Sequence, residues 1–263
     1  MSVEYKAVLW NRQKRVYDYV LAAGILLYLA VFVGIGALIH PGATIETLLI
    51  RGLGTAALML LHVALCIGPL TRLDPRFLPL LYNRRHLGVT TFILGLAHSV
   101  FSTIQFHALG DINPLASILI SNTRFNTVSQ FPFQQLGLLA LAILFLLAAT
   151  SHDFWLHVLT PIWWKRLHMS VYLAYFLLLG HVLLGALQSE TNPILTATLL
   201  AGAAVVIILH ILAAQKENRL DTAYREVCDV VDIPDFRATV VNVGGERVAV
   251  FRYGSRISAV SSV

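Results

Sequence analysis

The 263 residues are 57% hydrophobic and only 13% charged, with a formal net charge of +5 and a mean hydropathy of +0.73. A water-soluble domain carries roughly 25% charged residues, so this chain lacks the polar groups to cover a water-facing surface. The excess Lys and Arg occur in short runs between apolar blocks, which excludes a nucleic-acid-binding stripe and points to a lipid bilayer as partner.

The first apolar block follows Met1 to Arg15 and is too long for the core of a secretory leader, so none is expected. Six blocks reach the roughly 17–25 residues a helix needs to cross a bilayer. They are Val16–Ile39, Arg51–Leu70, Leu87–His107, Phe131–Thr150, Leu167–Leu187 and Pro193–Ala214. The expected fold is an all-α membrane protein, a six-helix transmembrane bundle over residues 1–215 with a short C-terminal β segment. Lys6, Arg12, Lys14 and Arg15 precede the first block. Arg72, Arg76, Arg84 and Arg85 separate the second from the third, and Lys165 and Arg166 the fourth from the fifth. Lys216 and Arg219 follow the sixth, whereas the opposite loops hold only Arg124 and, at a helix edge, Arg51. Positive loops stay on the cytoplasmic side, which places both termini there, in a membrane of the bacterial inner-membrane kind.

The loop from Ala108 to Gln130 is long for a bundle connection, and Asn113-Pro114 followed by Leu115, Ile118 and Leu119 reads as a short interfacial helix or a plain hydrophobic cover. No internal repeat is visible. Residues 216–229 read as a linker. Beyond it, Thr239–Val243 and Arg247–Phe251 alternate about Gly244-Gly245 as a hairpin, and Ile257 to Val263 reads as a third strand.

Cys66 and Cys228 give neither a metal-binding spacing nor a disulfide framework. The histidines are more informative. An ionisable residue inside a membrane is costly and marks a functional site by default. The neutral imidazole is also the common axial ligand of haem iron. His98 lies 13 residues past Arg85 and His181 lies 15 past Arg166. At a rise of about 1.5 Å per residue both stand roughly 20–22 Å from the inner edge, on helices running the same way. Gly95 precedes His98 by a turn, and Gly180 and Gly185 flank His181, so a flat ligand could approach the backbone. A second level lies near the inner edge, where His86 follows Arg85 and His168 follows Arg166; His62, on the second span, is an alternative partner for His168. His40, His107, His152, His157 and His210 fall near the two surfaces and take no assigned role.

Two segments resemble known families. Arg84-Arg85-His86-Leu87-Gly88-Val89 with His98, Trp164-Lys165-Arg166-Leu167-His168 with Tyr172 and His181, and Gly68-Pro69-Leu70 together resemble the ferric reductase-like transmembrane domain over about Arg51 to Leu187. The closest version is the haem-binding membrane subunit of the methionine sulfoxide reductase system. The resemblance implies a b-type cytochrome holding one or two haems on His98, His181, His168 and His86, and passing electrons through the bilayer. Ferric reductases and NADPH oxidases carry a histidine fourteen residues before the second helix-three histidine; here that position is Arg84. Residues 230–263, especially Ile233-Pro234-Asp235 and Gly245–Phe251, are similar to the opening strands of a Rieske-type ferredoxin domain. That resemblance implies a [2Fe–2S] cluster only if the chain continues beyond Val263, where the ligands would stand. The expected partners are a cytoplasmic electron donor and an outer-side acceptor or quinone. The alternative readings are a quinol-coupled oxidoreductase and a haem-free proton-coupled transporter built on His62, His98 and His181.

Overall fold

The structure is a computed structural model that describes residues 11–121, 131–185, 187, 193–221, 226–243 and 246–261. Lys6, Arg124 and the Gly244-Gly245 turn lie outside the described residues. Eight α-helices follow in chain order among them: α1 Arg12–Ile39, α2 Ile45–Leu73, α3 Arg84–His107, α4 Pro114–Ile120, α5 Phe133–Ala149, α6 Asp153–Met169, α7 Val171–Leu184 and α8 Pro193–Asp221. Residues through Ala213 form one compact unit, and Ala214 onward a second.

The helix starts are set by local chemistry. Asn11 caps α1 by accepting the Lys14 N–H at 2.9 Å, and the Thr44 hydroxyl caps α2 through the Thr47 N–H at 3.3 Å. Asn113 accepts two N–H groups at the head of α4, with Pro114 in the first turn, where its missing donor costs nothing. The short helix expected in the 108–130 loop is therefore present as α4; residues 122–130 lie outside the described set. The second span runs three residues past its expected end, through Pro69 to Leu73. The fifth begins well before Leu167. Thr160, ahead of Pro161, sits at φ 61, because the proline ring bars the preceding residue from helical geometry. The chain then stays helical to Met169, breaks at Ser170 and resumes as α7.

Five stretches among the described residues are long and apolar enough to cross a bilayer: Arg12–Ile39, Ile45–Leu73, Pro75–His107, Val158–Leu184 and Pro193–Arg219. The fourth expected span, Phe131–Thr150, is α5, which has 17 residues and is not among the five. At about 1.5 Å per residue it extends about 26 Å, short of a hydrocarbon core of roughly 30 Å. Large apolar side chains stand outward on the spans: Leu26 is 67% exposed, Ile162 66% and Phe176 73%. Apolar surface on this scale is stable only against lipid or another apolar partner.

Inside the bundle the closest pairings are α2 with α3 and α5 with α7. Leu61 and Leu65 of α2 pack with Tyr175 of α7 and Val206 of α8; Leu144 and Leu147 of α5 pack on Ala174 of α7. The Tyr28 and Thr55 hydroxyls, 2.8 Å apart, tie α1 to α2.

The second unit holds an antiparallel meander of β1 Ala238–Val243, β2 Glu246–Tyr253 and β3 Arg256–Ser261. Val243 pairs with Glu246 across the first connection, and Tyr253 pairs with Arg256, so β2 and β3 are joined by a two-residue turn. Gly254 takes φ +58, which the tight turn requires and which glycine adopts without penalty. Ile233, Ala249 and Val250 are its buried apolar residues.

Candidate functional site

The backbone dictates where the membrane histidines face. His98, in the outer half of α3, donates its Nδ1–H to the Ile50 carbonyl of α2 at 2.9 Å. His181, near the end of α7, donates its Nδ1–H to the Phe133 carbonyl of α5 at 2.9 Å. A carbonyl oxygen can only accept, so the proton on each ring sits on Nδ1 and the Nε2 lone pair remains available as a ligand. Backbone bonds of this kind fix ring tautomer and orientation at metal sites. Among the described residues neither Nε2 makes a hydrogen bond.

The two rings lie with their centroids 6.3 Å apart and their planes at 82°. A first-row metal sits about 2.0–2.1 Å from an imidazole nitrogen, and the ring centroid about 1.1 Å behind that nitrogen. Two imidazoles on opposite sides of one metal therefore have centroids about 6.2–6.4 Å apart. The observed spacing fits. No group of three or more His, Cys, Asp or Glu side chains converges among the described residues. A pair suffices where a macrocycle supplies the other four ligands, and such a pair is what His98 and His181 can offer.

The glycines that seat these rings are not the ones nearest them in sequence. Gly54 of α2 lies against the His98 ring, where an added Cβ would meet Nδ1 at 2.9 Å, and Gly137 of α5 lies against the His181 ring, where it would meet Nδ1 at 2.7 Å. Gly95 instead faces Leu141, Gly180 faces Leu136, and Gly185 packs on the Phe133 ring. Sequence inspection missed Gly54 and Gly137 because each serves a histidine 44 residues further along the chain. The signal that could have found them is a constant offset. Eighty-three residues separate Ile50 from Phe133, Gly54 from Gly137, and His98 from His181. The same offset joins buried Leu61 to Leu144, Ala64 to Leu147 and Thr91 to Ala174. The helix pairs α2–α3 and α5–α7 thus present one arrangement twice, although the sequence shows no repeat.

The inner histidines have separate surroundings. His86, in the first turn of α3, bonds Asp18 of α1 through Nδ1 at 2.7 Å, with the Tyr17 ring edge-on. His168 of α6 bonds the Trp164 carbonyl at 3.1 Å and stacks on the Trp164 ring at 3.8 Å. Arg85 pairs with Asp153 and lies 5.6 Å from the same indole, which carries charge from α3 onto α6. His62 of α2 bonds the Leu58 carbonyl at 2.7 Å and meets the Tyr175 ring edge-on at 5.3 Å. Its Nε2 faces Gly202 of α8. No hydrogen bond or ring contact joins His86, His168 and His62 to one another among the described residues. His62 Nε2, His168 Nε2 and the Tyr175 hydroxyl are all buried without a hydrogen-bond partner there. An orphaned buried nitrogen is costly. Arg84 lies against Gly68 of α2.

Three further histidines make local or interhelical bonds. His107 donates to Ser117 of α4 at 2.9 Å and faces Gln134 of α5. His210 accepts from the Tyr172 hydroxyl at 2.9 Å, joining α7 and α8, and His152 caps α6.

Comparison with curated proteins gives no match, and comparison with solved structures gives none either. Residues 52–179 match the model of the family described as "Ferric reductase like transmembrane component", a stretch that takes in His62, His86, His98 and His168 and stops two residues short of His181. Together with the five apolar spans, the match points to an integral membrane protein whose residues 52–179 are similar to a ferric reductase-like transmembrane domain.

Proposed function

We propose that the chain is a b-type cytochrome that relays electrons across the bilayer, with His98 and His181 as the axial pair of an outer haem. One observation carries this reading: two neutral imidazoles on different helices, each with Nδ1–H held by a backbone carbonyl, at the 6.3 Å spacing of two ligands on one iron. The haem would supply one-electron chemistry that no side chain here offers. The protein's part is to hold the imidazoles and fix their tautomer, with the Phe133 ring 5.6 Å from that of His181.

At the inner level His168 would hold a second haem, with His62 or His86 opposite. The orphaned Nε2 of His62 favours His62 over His86, whose ring is engaged by Asp18. Arg84, at the position where ferric reductases carry a histidine, would then offer a cation to a carboxylate rather than a ligand to iron. Electrons would enter on the cytoplasmic side, to which the charge rule assigns the positive loops and the C-terminus, and leave on the outer side. A Rieske-like cluster borne by continuing chain, a soluble reductase, or a quinol would be the donor. The membrane subunit of the methionine sulfoxide reductase system would be one functional parallel.

The test is transmembrane electron transfer in sealed vesicles. Vesicles holding the full chain and trapped ferricyanide should bleach when an impermeant reductant is added outside, and protein-free vesicles should not. Equal bleaching in both would overturn the relay.

A further inference from the structure

We propose that Gly54 and Gly137 are positioning residues, each required to seat one axial histidine on its carbonyl and together holding the two imidazole planes at a right angle. The inference rests on the reading that His98 and His181 share one haem iron.

In a helix the carbonyl of residue i accepts the N–H of residue i+4. Gly54 is four residues after Ile50, and Gly137 four after Phe133. Each histidine therefore bonds a carbonyl whose helical partner is the glycine itself. To reach that oxygen the ring must lie on the backbone beside the glycine Cα. A side chain there closes the approach: the three nearest atoms to an added Cβ are all His98 ring atoms at Gly54, at 2.9, 3.1 and 3.5 Å, and all His181 ring atoms at Gly137, at 2.7, 2.8 and 3.2 Å. Gly202 of α8 lies against the His62 ring in the same way, where an added Cβ would meet Nε2 at 2.6 Å, but several other glycines of the bundle meet no ring. Gly34 and Gly88 face open space, and Gly36 packs on Leu48 of α2.

Two such seats determine more than ligand supply. The Nδ1–H bond removes the ring's freedom to rotate about its metal-facing axis. With one ring anchored to α2 and the other to α5, the angle between the planes is built into the helix frame, and it is 82°. Crossed imidazoles leave two iron d-orbitals nearly degenerate, whereas parallel ones split them. The two arrangements give different low-spin ferric electron paramagnetic resonance spectra, with the largest g value higher for the crossed case.

The experiment compares the full holoprotein with Gly54→Ala, Gly137→Ala and the control Gly36→Ala, whose Cβ is as crowded, at 2.8 Å, but against a leucine side chain on the α1–α2 contact. Wild type should show the high-g signal. Gly54→Ala and Gly137→Ala should lower the largest g value of the haem they retain or lose the haem, and Gly36→Ala should keep the wild-type spectrum. A second measurement needs no haem. Because the nearest atoms to a Gly54 Cβ all belong to His98, the loss of thermal stability from Gly54→Ala should largely disappear in a His98→Ala background. Unchanged spectra in both glycine variants, an equal effect of Gly36→Ala, or a Gly54→Ala penalty undiminished without His98 would each overturn the positioning role. A wild-type chain that takes up no haem would overturn the axial-pair reading, and this inference with it.

Discussion

Seven buried side-chain polar atoms among the described residues lack a hydrogen-bond partner: one each on Asn83, Gln105, Gln134 and Gln135, and three on the ring-bearing residues His62, His168 and Tyr175. An unpaired buried polar group costs about 1–3 kcal/mol, so the His62 and His168 nitrogens and the Tyr175 hydroxyl are expected to gain a partner in the working protein. If that partner is a second haem, its loss discriminates among the candidates. His168→Ala should lower the haem-to-protein ratio by one while leaving the outer haem spectrum intact. His62→Ala should do the same and His86→Ala should not. A ratio of one, unchanged by His168→Ala, would remove the inner site; loss on His86→Ala alone would exchange the roles of His62 and His86. At this scale the sequence was legible in one respect and not in another. Counting from Arg85 and Arg166 put His98 and His181 at one depth, because rise per residue is nearly constant along a helix. Counting could not find Ile50, Phe133, Gly54 and Gly137, because which helix lies behind a histidine is a property of packing. Nor could it show that His86 would spend its Nδ1 on Asp18, 68 residues away.

Among the elements, hydropathy located the membrane helices, because a bilayer imposes a minimum apolar length that few other settings demand. Their ends were less legible. Pro69 looked like a terminus, yet α2 passes through it, since near a helix C-terminus a missing N–H forfeits a single hydrogen bond. The fifth span was expected to begin at Leu167, yet α6 starts fourteen residues earlier, at Asp153, and carries a kink at Thr160 ahead of Pro161. The short α5 lies close to α7 through small residues, and Ala140 and Ala174 are both fully buried. Ala174, between Leu144 and Leu147, leaves no room for growth. Ala174→Leu should cost about 1–3 kcal/mol by overpacking and lower the melting temperature in detergent. A variant as stable as wild type would mean that α5 and α7 are held apart more loosely than described.

For the whole molecule, the five spans and the ferric reductase-like match point to a membrane protein, and the charge of the loops predicts its orientation. The chain carries a built-in reporter for this. With Cys66 replaced by Ala, Cys228, just ahead of the β1–β3 sheet, is the single thiol. An impermeant thiol reagent should label it in inverted membrane vesicles and leave it unlabelled in intact cells. The opposite pattern would reverse both the topology and the proposed electron direction. The three strands were legible because alternation and two turn signals coincide; the Rieske resemblance they carry remains a proposal about function.

The central claim is that His98 and His181 hold one haem between them, and the most direct measurement is the reduced-minus-oxidised absorption spectrum of the purified chain beside those of His98→Ala and His181→Ala. The account predicts the sharp α band of a six-coordinate, bis-imidazole b haem in the wild type, with the same haem lost or converted to high spin in both variants. A wild-type preparation without that band, or variants that keep it at wild-type intensity, would contradict it.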